Sequence, residues 1–355
     1  MNAEPMTEHK PFYLPSLDGL RAVAATLVFL GHAGWGHIFP GGFGVTIFFF
    51  LSGYLITTLL RREYERGQGI HVGHFYLRRV YRILPPMYLV LLGVWLLSAM
   101  GLLGQPPSAA GAAAQVLQLT NYYILHAGEA GLVPYTATFW SLAVEEHFYL
   151  LFPMLFIACI RRQRYPAMAR TFALICGAIL LWRCVLIFGW QLPGARTYLA
   201  SDTRLDSLLF GCIMGVWMNP ALDPARAGLT RARQVGVLLA ALALLLLTFV
   251  LRDEAFRATL RYTLQGVALF PVFWLAVRHP QWPAFRWLNS WALRWLGKIS
   301  YVFYLSHLFW LGVLASVLPA RPVLVAVAAF AATVVFSLLV YRVLEQPLAR
   351  LRRRL

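Results

Sequence analysis

Arg21 and His32 stand eleven positions apart in the stretch LDGLRAVAATLVFLGHAGW, residues 17–35, which is otherwise apolar enough to enter a bilayer. On a helix, eleven residues make close to three full turns. The two side chains then project from one face, roughly 16 Å apart along the axis. An ionisable side chain inside a membrane helix is expensive and points to a functional site. A central Arg costs about 3 kcal/mol, and each Leu, Val or Phe returns about 0.3–0.6 kcal/mol. The apolar residues of this stretch roughly offset the Arg and leave nothing for the His, so the helix belongs inside a bundle rather than against lipid. The imidazole has the chemistry of a general base. The plainer alternatives are an Arg that snorkels to headgroups and a His satisfied in the interior.

Further polar groups recur in later apolar runs. In FYLRRVYRILPPMY, residues 75–88, Arg79 and Arg82 are three apart and share a helix face, with Arg78 beside them. Guanidinium forks match phosphate, so this cluster suits a phosphorylated ligand arriving from the cytoplasm; lipid headgroups would suit it equally. Pro85-Pro86 is expected to interrupt that helix near the membrane surface. In FWSLAVEEHFYLLFP, residues 139–153, Glu145, Glu146 and His147 are consecutive, so at most two can face one cavity. Glu145 lies at a depth similar to that of His32 and is expected to hold its tautomer and balance its charge; a structural His–Glu lock between helices is the alternative. In FFFLSGYLIT, residues 48–57, Ser52-Gly53 permits close helix packing and Ser52 and Tyr54 offer hydroxyls.

Asp202, Arg204 and Asp206 cluster where the sixth run opens, either to hydrogen-bond a polyhydroxylated acceptor or to satisfy one another. In GKISYVFYLSHLFW, residues 297–310, Tyr304 and His307 share a face. Near the end, Glu345 and Pro347 close the last run, and a basic tail follows.

The elements that must position these groups are membrane helices. The chain has 355 residues, of which 60% are hydrophobic and 13% charged, beyond what a soluble domain needs. A formal charge of +17 would suggest a nucleic-acid partner in a soluble protein. Here the Arg residues sit in short segments between apolar runs, so no nucleic acid is expected and the bilayer is the partner. Cys159, Cys176, Cys184 and Cys212 lie in or beside apolar runs without metal-ligand spacing, and read as packing residues. The polar N-terminal segment is no signal peptide.

Ten spans are predicted, at about 17–36, 43–60, 80–101, 138–160, 171–190, 203–219, 235–251, 259–277, 294–314 and 322–343. Residues 111–126 are too short and polar for a span and read as an interfacial or re-entrant helix. With the N-terminus in the cytoplasm, 23 of the 31 Lys and Arg fall inside and five outside. Arg21, Arg183 and Arg204 fall in or at the mouths of spans. That bias places both termini inside. The expected fold is all-α: a polytopic transmembrane helix bundle forming one domain over 1–355, with no appended soluble domain. No internal repeat supports a transporter design.

In their order and number, these strings resemble the acyltransferase-3 family of bacterial integral-membrane O-acyltransferases, from LDGLRAVAATLVFLGH to YRVLEQP. The resemblance implies transfer of an acyl group, usually acetyl, from cytoplasmic acetyl-CoA or another acyl-CoA to an acceptor hydroxyl, at the bacterial inner membrane and without a metal. It carries Arg21 and His32 onto the family's essential pair, Arg79 and Arg82 onto its Arg pair, and Glu145 onto the Glu after WSL. Ser52, Gly53 and Tyr54 match its SGY or SGF element. Two departures are visible: Thr46 where many members carry Asp, and His147 where Gln is common.

The expected catalytic groups are therefore His32, Glu145 and Arg21. Arg79, Arg82, Arg78, Ser52 and Tyr54 are expected at the donor, and Trp140, Arg204, Asp206, Tyr304 and His307 at a saccharide or small-molecule acceptor. The favoured acceptor is a cell-surface saccharide. A small lipophilic metabolite such as a macrolide is the alternative within the enzyme class. A secondary transporter and a non-catalytic scaffold are the alternatives outside it. Direct transfer and a covalent relay are both compatible with these residues.

Overall fold

The computed structural model describes residues 13–67, 69–104, 106–224 and 230–352, and they are helical, with no strand among the described residues. Lys10, Arg226, Arg353 and Arg354, counted above toward the inner side, lie outside the described residues. Ten long helices form the body: α1 (Pro15–Leu30), α2 (Gly41–Glu65), α3 (Val72–Ala99), α4 (Phe139–Ile160), α5 (Tyr165–Cys184), α6 (Ser201–Val216), α7 (Arg231–Val250), α8 (Leu260–Arg278), α9 (Trp291–Val317) and α10 (Pro322–Val340). Eight of these are long and apolar enough to cross a membrane; α1 and α6, at 16 residues each, fall short of that length. A π turn, Gly31–Trp35, prolongs α1, and its widened ring holds His32.

The polar helices lie inside. α6 packs against α2, and α1 against α9. Two glycines make the first contact: a Cβ on Gly53 would fall 1.9 Å from the Leu208 carbonyl oxygen, and one on Gly211 would fall 2.0 Å from that of Phe50. The two backbones touch, the close approach that Ser52-Gly53 suggested. All four cysteines are free and buried or half-buried.

Two expectations are corrected. α3 begins at Val72, eight residues before the predicted span, because the Arg-rich segment continues the helix. Pro85-Pro86 does not interrupt it. Both prolines sit inside a continuous helix, and the Tyr301 hydroxyl of α9 donates to the Ile83 carbonyl at 2.8 Å. A neighbouring helix thereby donates to one backbone carbonyl beside the imino bonds. Residues 111–126 form two short helices, Ala109–Val116 and Thr120–Ala127.

Candidate active site

A cavity of about 100 Å³ lies among α1, α2, α3, α4 and α9. Arg21, Arg79, Arg82, Ser52, Glu145 and Tyr304 line it together with Ser141, Tyr149 and Tyr301. Apolar side chains make up much of the rest of its lining: Val45, Phe48, Leu51, Leu55, Ile83 and Leu142. Six residues singled out from sequence therefore share one chamber, contributed by five helices.

The arginines stand where the chamber meets two surface clefts. One cleft runs between the starts of α1 and α9 and the segment after α10, and includes Tyr13, Asp18, Lys298, Glu345 and Arg350. The other runs between the end of α2 and the start of α3, and includes Arg62, Arg66, His71, His74 and Arg78. Arg82 lines both clefts and the chamber. Arg21 is held by Asp18 at 3.1 Å, one turn earlier on its own helix. Arg79 stacks its guanidinium 4.5 Å from the Tyr149 ring centre. Arg78 turns to Glu63 at 3.1 Å.

Glu145 points into the chamber. It accepts from the Ser52 hydroxyl at 3.2 Å and the Tyr149 hydroxyl at 3.0 Å. Its neighbours turn elsewhere, as consecutive helix positions must: His147 bonds Ser201 at 2.7 Å and stacks on Tyr122. No hydrogen bond or ion pair joins Glu145 to His32 among the described residues. Equal depth on two helices leaves the rotation of each about its own axis free, and here the two side chains meet different neighbours. Tyr54 also leaves the chamber, donating to Asn219 at 3.1 Å within the core.

His32 is exposed and does not line the chamber. Its Nδ1 lies 3.0 Å from the Val28 carbonyl oxygen and 3.1 Å from Nε2 of His307. His307 is fully buried. The ring of Tyr304, which does line the chamber, is centred 5.7 Å from that of His307. The Tyr304 hydroxyl is bound by Ser141 at 2.6 Å and donates to the Thr138 carbonyl at 3.1 Å. Tyr304 and His307 thus separate the chamber from the exposed imidazole.

The polar cluster of α6 is not displayed to an acceptor. Asp206 is 0% exposed and pairs with Arg183 at 2.7 Å, with Thr263 donating to the same carboxylate oxygen. Arg204 is also 0% exposed. It donates to Thr46 at 3.2 Å and lies 4.0 Å from the Tyr262 ring centre, with Nε and Nη1 unpartnered. Asp202 pairs with Arg196 at 2.6 Å. Neighbouring helices cover Arg204 and Asp206, whereas the Asp202–Arg196 pair satisfies itself at a partly exposed position. Trp140 packs between Phe49 and Tyr198 rather than opening to solvent. Sequence reading missed Tyr149, Tyr301 and Ser141 as cavity residues, although all three fall in the quoted strings. Tyr149 was detectable as the residue one turn after Glu145.

Comparison with known proteins gives a consistent picture. The model of a family described as "Acyltransferase domain" matches residues 14–342. Peptidoglycan O-acetyltransferase OatA of Listeria monocytogenes is 29% identical over 97% of this chain and 57% of its own length. O-acetyltransferase OatA of Staphylococcus aureus is 30% identical over 84% of this chain and 51% of its own. The chain spans about half the length of the curated relatives it matches. No solved structure matches.

Proposed function

The chain belongs to the acyltransferase-3 family, and on that footing we propose that it moves an acyl group, in the simplest case acetyl, from acyl-CoA to a hydroxyl of a cell-envelope saccharide. The names of the relatives above support O-acetyl transfer and a peptidoglycan-type acceptor. The observation that carries the reading is the chamber itself. Three arginines stand where it meets the basic clefts, apolar side chains line much of the rest, and a Tyr–His–His series leads from its wall to the exterior.

The donor's phosphates suit the basic clefts, with Arg82 at their junction with the chamber and Arg79 beside it. The thioester arm suits the apolar part of the lining. Glu145 balances the arginines and fixes Ser52 and Tyr149, a donor-side role rather than that of a partner to His32. The clefts gather the N-terminal ends of α1, α3 and α9 and the C-terminal end of α2. That end is the cytoplasmic one in this proposal, which puts both chain termini inside. His32 lies toward the opposite end of α1 and meets the acceptor there. It takes the hydroxyl proton as the oxygen attacks the thioester carbon. Displacement of the Tyr304 side chain, held through its hydroxyl by Ser141 and Thr138, joins the chamber to His32.

The test is reconstitution. Purified protein in liposomes is given acetyl-CoA with and without peptidoglycan fragments, while free thiol is measured and the glycan is weighed by mass spectrometry. The expected result is acceptor-dependent thiol release and a gain of one acetyl mass per modified sugar. No consumption of acyl-CoA with any saccharide acceptor would overturn the proposal.

A further inference from the structure

The two imidazoles fix the position of each other's hydrogen. Nδ1 of His307 lies 2.6 Å from the carbonyl oxygen of Tyr304. A carbonyl only accepts, so this nitrogen carries the hydrogen, and in the neutral ring Nε2 is bare. That bare nitrogen faces Nδ1 of His32 at 3.1 Å. The same Nδ1 lies 3.0 Å from the Val28 carbonyl oxygen. Both partners of His32 Nδ1 are acceptors, so His32 holds its hydrogen there and keeps its lone pair on Nε2. His307 has both nitrogens engaged and no exposed surface, so it has nothing to offer a substrate directly.

We infer that His307 is a positioning residue that locks His32 in the Nδ1–H tautomer and leaves Nε2 as the atom that takes the acceptor's proton. This rests on the acyl-transfer reading above. The acceptor hydroxyl gives its proton to His32 Nε2 as its oxygen bonds the thioester carbon. The resulting imidazolium donates through Nδ1–H to the His307 lone pair and the Val28 carbonyl, which stabilise its charge. The carbon–sulfur bond then breaks, and the departing sulfur receives the proton from Nε2, so coenzyme A leaves as the thiol and His32 returns to its starting form. A neutral imidazole here fills the place that a carboxylate fills in a Ser-His-Asp triad. In the other tautomer His32 would present an N–H to the acceptor hydroxyl and could not accept its proton.

The test compares His307→Gln with His307→Leu. A Gln amide oxygen can accept from His32 Nδ1–H; a Leu side chain cannot. Given acyl transfer by the unaltered protein, the Leu variant is expected to lose about 100-fold or more in kcat, with KM for acyl-CoA within about threefold. The Gln variant is expected to keep at least about a tenth of kcat. ¹⁵N spectra of histidine-labelled protein should show His32 Nε2 unprotonated in the unaltered and Gln forms, and a mixture of tautomers in the Leu form. Full activity in the Leu variant, or an unprotonated Nε2 persisting there, would overturn the inference. So would a protonated Nε2 in the unaltered protein. The spectra need no turnover, so they decide the tautomer even if acyl transfer itself is not found.

Discussion

His32 Nδ1 and His307 Nε2 stand 3.1 Å apart although 275 positions separate them in the chain. One ring ends the first helix and is exposed; the other is sealed inside α9. The contact therefore joins an exposed imidazole to an anchored one and fixes its orientation from behind.

Replacing His32 by Ala removes the only exposed group of this pair. Transfer to saccharide should fall by about 100- to 10,000-fold, while acyl-CoA binding persists. Acetyl transfer in liposomes, set beside equilibrium binding of the donor, checks both halves.

Arg82 borders both basic clefts and the chamber, so its loss should be felt in donor binding. Arg82→Ala should raise KM for acyl-CoA about 10- to 100-fold, the range of one or two charge-assisted phosphate contacts. Arg82→Lys should recover only part, because an ammonium keeps the charge and loses the fork. Initial rates against donor concentration provide the measurement.

Glu145 is bonded to Ser52 and Tyr149, within the chamber proposed to take the donor. Glu145→Gln should therefore raise KM for acyl-CoA about tenfold while changing kcat by less. A loss confined to kcat would return Glu145 to the service of His32.

The pair Arg183–Asp206 is fully buried. Either single replacement by Ala leaves an uncompensated charge and should cost about 3–5 kcal/mol. Replacing both, as in Arg183→Met with Asp206→Leu, should recover much of that loss. Thermal unfolding in detergent compares the three.

Among the described residues, Arg204 is buried with the Thr46 hydroxyl as its one hydrogen-bond partner, over aromatic rings. Thr46→Asp places a carboxylate beside an existing buried cation. The unfolding midpoint should rise, by an amount equivalent to about 1–3 kcal/mol. An unchanged or lower midpoint would mean that the ring contacts already compensate the charge.

Much of the frame was legible because lipid imposes long apolar runs, and hydropathy finds them directly. The start of α3 was not, since hydropathy marks the span only from residue 80 while the charged segment before it continues the helix back to Val72. Grouping Arg21, Arg79, Arg82, Ser52, Glu145 and Tyr304 was within reach of sequence, as polar residues in spans seek a shared interior. Pairing them was not. Helix depth fixes one coordinate of a side chain and leaves rotation about the axis open, so Glu145 was matched to His32 when the imidazole's partner is His307. The same gap hid Arg183 as the counter-ion of Asp206, which local spacing on α6 could not reveal.

The inner pair α2 and α6 is clasped backbone to backbone at Gly53 and Gly211, and 72% of the apolar stretch of α2 is buried, against 33% for α3. α3 carries Arg78, Arg79 and Arg82 and has two consecutive peptide nitrogens that cannot bond to the preceding turn. The α2–α6 pair is thus the fixed axis of the bundle, and α3 brings its arginines to that axis from the margin.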